Sequence, residues 1–169
     1  MDLLVERQHA EWEAAPRGIE ALIARTRDRI LAKPLTFMNL SGGAVVALLN
    51  FYKVEVADLL VAVDDVNLEL GRLRARSGGS AGGHNGLKSL IASFGTDEFS
   101  RLRIGVGRGD ARRDLADHVT AKFDREERES VEMATGRAAD AVDVFVTDGI
   151  AVVMNRFNRK EDREIENSE

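Results

Sequence analysis

The chain has 169 residues, 44% hydrophobic and 31% charged, a balance that suits one globular core and excludes wholesale disorder. It has no cysteine, which excludes disulfides and thiolate metal sites, and no apolar run of membrane-spanning length. The formal net charge of −5 argues weakly against non-specific attraction to nucleic acid, and no basic-then-apolar leader opens the chain, so a cytosolic protein is expected.

In chain order, Asp2 to Arg7 reads as a helix fragment with Leu3 and Leu4 as its apolar positions and no start signal. Pro16-Arg17-Gly18 is a break. Ile30 to Ala32 reads as a short strand entering Lys33-Pro34. Ser41 to Tyr52 is predicted helical, because Val45, Leu48, Leu49 and Tyr52 share one face. Asp58 to Val63 is a continuous apolar run of strand length ending at Asp64-Asp65, the pattern of a strand buried on both faces. Arg72 to Arg76 alternates basic and apolar residues, as a half-exposed strand does. A glycine loop spans Ser77 to Gly83, and a helix from Leu87 to Phe94 stops near Gly95. Arg101 to Val106 is a further alternating strand. Asp124 is placed to cap a long helix ending at Asp148-Gly149, with a last helical turn from Ala151 to Phe157. Strands alternating with helices indicate an α/β layer fold, whose ligands bind beyond the carboxyl ends of the strands.

Charge is unevenly spread. From Gly71 to Thr96 there are Arg72, Arg74, Arg76 and Lys88 and no acid, and from Arg101 to Arg113 five arginines face only Asp110. Such a stretch is either a solvated face or a surface for phosphates. The loop Gly78-Gly79-Ser80-Ala81-Gly82-Gly83-His84-Asn85-Gly86 fits neither a Walker A nor a dinucleotide pattern, and alone it reads as a sharp turn before a helix. The three histidines, His9, His84 and His118, lack metal-ligand spacing.

Three further segments accompany that loop: Lys33-Pro34-Leu35-Thr36-Phe37-Met38-Asn39-Leu40-Ser41-Gly42, Val63-Asp64-Asp65 through Leu70-Gly71, and Phe99-Ser100-Arg101-Leu102-Arg103-Ile104-Gly105-Val106-Gly107-Arg108. In this order and spacing they resemble the bacterial-type peptidyl-tRNA hydrolases, and the match continues through Asp148-Gly149-Ile150 and Met154-Asn155-Arg156-Phe157. The resemblance covers roughly Asp2 to Asn158. It implies a single α/β domain over 1–158 with a central mixed, mostly parallel sheet flanked by helices; the charged residues 159–169 read by composition as a disordered tail.

The resemblance also implies hydrolysis of the ester between a peptide and the 3′ end of tRNA, which recycles tRNA from stalled translation in the cytoplasm. The implied enzyme is a monomer without metal or organic cofactor, and its partner is peptidyl-tRNA. A histidine activates water and an aspartate orients it. Asp64 matches that aspartate. Asn39 and Asn85 match the substrate-binding asparagines, whose amides can both donate and accept. Phe37 matches an aromatic beside the tRNA 3′ end. Arg76 and Arg103 match a clamp on the tRNA 5′ phosphate, with Lys88 an added charge. His84 does not match the base and is expected to be a structural hydrogen-bonding residue.

The family's opening strand, its GLGNPG-like turn and its T-R-H-N-x-G-F motif, which carries the general base, have no counterpart here. Met1 to Arg7 matches the segment just after that motif, partway along the first helix, and His9 does not carry over as the base. The expectation is that the start lies upstream, that the first strand of the sheet is missing, and that Met1–Glu169 alone hydrolyses little. The alternatives are a non-catalytic RNA-binding paralogue, resembling the chloroplast intron-splicing cofactor of this family, or a decayed remnant.

Overall fold

The computed structural model describes residues 1–108 and 122–159. Helix α1 (Asp2–Arg7) leads into an antiparallel sheet of β1 (Glu13–Ala14), β2 (Ala21–Arg25) and β3 (Ile30–Pro34), in that order. A 3₁₀ turn at Met38–Leu40 enters α2 (Ser41–Tyr52). The second sheet holds β4 (Leu60–Asp65), β5 (Leu73–Arg76) and β6 (Ser100–Gly105) in the order β4-β6-β5. Helix α3 (Asn85–Phe94) joins β5 to β6, and α4 (Arg128–Asp148) and α5 (Ile150–Phe157) close the described chain.

The α/β class holds, with two corrections inside it. The mostly parallel sheet is not found: among the described strands only β4 and β6 run parallel, and the other pairs are antiparallel. The strands also form two sheets rather than one, because the outer edges of β3 and β4 pair with no described strand. The same two helices nevertheless cover both sheets. In α2, Leu48 and Tyr52 pack with Ile23 and Ala32 of the first sheet, while Val45 packs against the cluster of Leu87, Leu90 and Phe99 that also takes Val61 and Val63 of the second. In α4, Ala139 lies against Ala24 and Leu31, and its neighbour Ala138 lies against Leu73 and Leu102. With one edge unpaired, β4 is half-buried rather than enclosed on both faces, and Ala62 is exposed.

Helix α2 has the bounds its apolar spacing predicts. The strand expected at Asp58 begins at Leu60, because Val56–Asp58 forms a 3₁₀ turn. The long helix starts at Arg128, not beside Asp124: the Asp124 N–H donates to Glu127 Oε2 at 2.9 Å, and a turn precedes the helix. That is half of a capping box, with the carboxylate reaching back but no side chain capping forward. Strands β1 and β2 are additions to the elements expected from the sequence. In β6, Arg101 and Leu102 are both buried, so the expected alternation fails at the residue where a cation lies inside. The Asn158 amide closes the outer edge of β5, accepting from Ala75 N–H at 2.6 Å and donating to its carbonyl at 3.0 Å. The tail expected after Arg159, together with Asp110 to Arg113 and His118, lies outside the described residues. Among the described residues no helix is long and apolar enough to cross a membrane.

Candidate active site

Asp64 stands at the carboxyl end of β4, in register with Ile104 of the parallel strand β6. His84, the residue before α3, reaches it. The Leu87 N–H donates to His84 Nδ1 at 3.2 Å, which caps the helix. A backbone N–H can only donate, so Nδ1 carries the lone pair and the ring proton sits on Nε2, facing Asp64 Oδ1 at 3.2 Å. Both ring nitrogens are therefore engaged. Asp64 keeps 39% of its side chain exposed, so its carboxylate can accept a further donor.

The hydrogen bond from His84 holds the Asp64 carboxyl below the ordinary value of 3.8, against desolvation, which acts to raise it. A depressed folded pKa gives stability that is complete above 3.8 and vanishes as pH falls through the lowered folded value. Asp64→Asn is thus expected to lower the urea midpoint at neutral pH, with the gap to the parent narrowing as pH falls below 3.8. A gap of constant size across that range would contradict the linkage.

Two close backbone approaches bring the asparagines to the same end of the molecule. A Cβ on Gly42 would lie 2.3 Å from the Ser89 carbonyl oxygen, and the Gly42 N–H donates to Ser89 Oγ at 2.9 Å. A Cβ on Gly86 would lie 2.7 Å from Met38 Sδ. Only glycine permits the first contact, and at Gly86 a larger residue would displace the Met38 and His84 side chains; together they press the start of α2 and the Met38–Leu40 turn onto the start of α3. Asn39 and Asn85 flank this contact. Both are exposed, and neither amide is hydrogen-bonded to a described residue. Phe37 is 81% exposed beside the exposed Leu35, Met38 and Leu40, an apolar surface of the kind that meets a ligand rather than a core.

The arginines divide into two kinds. In the antiparallel pair β5–β6, Arg74 lies opposite Arg103 and Arg76 opposite Arg101, so four cations share one sheet face. Like charges in direct opposition destabilise a sheet unless something offsets them. Arg103 is only 11% exposed; it donates to Asp65 Oδ2 at 3.1 Å and to the Ser80 carbonyl at 2.9 Å. In this position it ties the strand to the glycine loop. Arg74 and Arg76 are exposed, with no ion pair among the described residues. With Arg72, Met154 and Asn158 they line a groove of about 380 Å³ beside α5. Arg74 is not among the site residues expected from the sequence, although its alternation with Arg76 is visible there. Lys88 is exposed on α3. No group of three potential metal ligands occurs among the described residues.

Comparison with known proteins gives one answer. The family profile described as peptidyl-tRNA hydrolase matches residues 1–165. The peptidyl-tRNA hydrolase of Dehalococcoides mccartyi is 52% identical over 132 residues, covering 76% of this chain and 70% of that protein. That of Symbiobacterium thermophilum is 49% identical over 148 residues, covering 84% and 78%. Among solved structures, peptidyl-tRNA hydrolase from Acinetobacter baumannii superposes with a TM-score of 0.84 at 28% identity, covering 93% of this chain and 81% of that one.

Proposed function

Since this chain belongs to the peptidyl-tRNA hydrolase family, we propose that its site takes peptidyl-tRNA and positions the ester for attack by water. The observation that carries this reading is the Asp64–His84 contact, because His84 belongs to the same motif that presents Asn85. Asp64 orients the histidine that activates water and stabilises its charged form. Asn39 and Asn85 hold the carbonyl and the neighbouring amide of the peptide, and Phe37 meets the terminal base or the peptide. Arg76 and Arg103 hold the terminal phosphate, with Arg74 beside Arg76, and Arg103 also ties the loop to Asp65. The same reading takes one chain, no metal, and a place in the cytoplasm.

The general base is not supplied by His84, whose two nitrogens are occupied. In this reading the base is the histidine of the family's T-R-H-N-x-G-F motif, and a chain supplied with that motif is expected to release peptide from N-blocked aminoacyl-tRNA. RNA binding by Met1–Glu169 without turnover, even when that motif is supplied, would favour the non-catalytic RNA-binding reading.

The cationic edge gives a separate test. Arg76→Ala is expected to weaken binding of a CCA-ended RNA hairpin carrying a 5′ phosphate and to reduce the log–log salt slope by roughly one. An unchanged slope would remove Arg76 from the phosphate contact.

A further inference from the structure

Arg101 is 1% exposed and has no carboxylate partner among the described residues. Its guanidinium instead collects backbone carbonyls from two separate segments. Nη1 donates to the Gly79 and Ser80 carbonyls of the glycine loop, the second at 3.4 Å. Nη2 donates to the Asp97 carbonyl and, at 3.2 Å, to that of Phe99, while Nε donates to Phe99 at 3.3 Å. The guanidinium carbon lies 4.3 Å from the centre of the Phe99 ring. The Gly79 N–H also donates to the Asp97 carbonyl at 3.1 Å, so the loop runs along the Asp97–Phe99 segment with Arg101 fastening the two together.

A planar fork with five donors suits this arrangement, and lysine, with one nitrogen, could not span both segments. A buried cation facing Arg76 across the strands and lying next to Arg103 is costly to keep, and that cost is offset by those carbonyl dipoles, the Phe99 ring and the charge of Asp97. Burial, with the charge of Arg103 second, also draws the Arg101 guanidinium below its ordinary value. Nothing in this environment requires an arginine if the core alone is at stake. The loop it holds is the one that delivers His84 to Asp64 and Asn85 to the surface, and Ser80 O is shared with Arg103, which in turn holds Asp65.

We propose that Arg101 is a positioning residue, whose forked hold on the Gly79–Ser80 and Asp97–Phe99 carbonyls sets the conformation of the glycine loop and thereby the placement of His84 against Asp64 and of Asn85. The proposal rests on the hydrolase reading only in treating Asn85 as a substrate group. Its test reads the loop itself, so the two can fail separately.

The experiment compares ¹⁵N-labelled Met1–Glu169 with Arg101→Met and Arg101→Lys, following amide exchange along the chain. In Arg101→Met, exchange at Gly79 and His84, whose N–H groups donate to the Asp97 and Ala81 carbonyls, should rise roughly tenfold to a hundredfold, while Ile91 of α3 and Leu102 of β6 change less than about threefold. Arg101→Lys, which keeps the charge, should show the same loop-selective change, and it carries the test if the methionine variant does not fold. Unchanged loop exchange, an equal rise in loop, α3 and β6, full rescue by lysine, or a lysine variant that cannot fold would each overturn the proposal. The first denies the hold, the third denies the fork, and the others make Arg101 a core residue only.

Discussion

Asp64→Ala is expected to lower peptidyl-tRNA hydrolysis by about 10²–10⁴-fold in a chain that carries the family's histidine motif ahead of Met1. A carboxylate that orients a histidine fixes its tautomer and stabilises the cation formed when it takes a proton from water. Asp64 suits that task on three counts: it ends a strand, it keeps 39% of its side chain exposed, and its carboxyl stays ionised well into the acid range. The check is single-turnover release of peptide from N-blocked aminoacyl-tRNA. The loss should fall in the rate of the chemical step, with RNA affinity little changed, because Asp64 lies on the reacting end and not on the cationic edge. A parental rate in Asp64→Ala would remove Asp64 from the mechanism.

Arg103→Ala is expected to destabilise the fold by about 3–5 kcal/mol, the cost of leaving one member of a buried ion pair without the other. The abandoned partner is Asp65, 9% exposed, and the Ser80 carbonyl loses a donor as well. Arg76→Ala, an exposed change on the neighbouring strand, should stay within about 0.5 kcal/mol. Urea unfolding of the two variants at neutral pH separates these outcomes. If Arg103→Ala costs no more than Arg76→Ala, then Arg103 is a surface phosphate contact and the Asp65 tie is incidental. The contrast matters because a fall in RNA binding by Arg103→Ala could follow from a loosened loop alone.

Much of the architecture was legible because local signals repeat over many residues. The apolar spacing of Val45, Leu48, Leu49 and Tyr52 defines α2, the alternation Arg72 to Arg76 defines β5, and Gly95 and Gly149 end their helices. Strands β1 and β2 escaped because they are short, poorly matched to the family's motifs and paired locally as hairpins. The unpaired edges of β3 and β4 escaped because pairing is a property of two strands, and neither sequence records its neighbour.

The candidate site divides the same way. By themselves, the residues determined its chemistry: which motifs are present, that Asp64 ends a strand, that Asn39, Phe37 and Asn85 belong to motifs of one family, and that the middle of the chain is basic. Tertiary structure alone decided the use of each charge. Arg76 and Arg103 are equal in sequence, yet one faces solvent and the other closes on Asp65; Arg101, one arginine among several in its motif, is the cation buried beneath the loop. A charge is written in one residue, but what it costs and what it does depend on burial and on partners brought from 38 positions away in the case of Arg103 and Asp65, and 22 in that of Arg101 and Gly79.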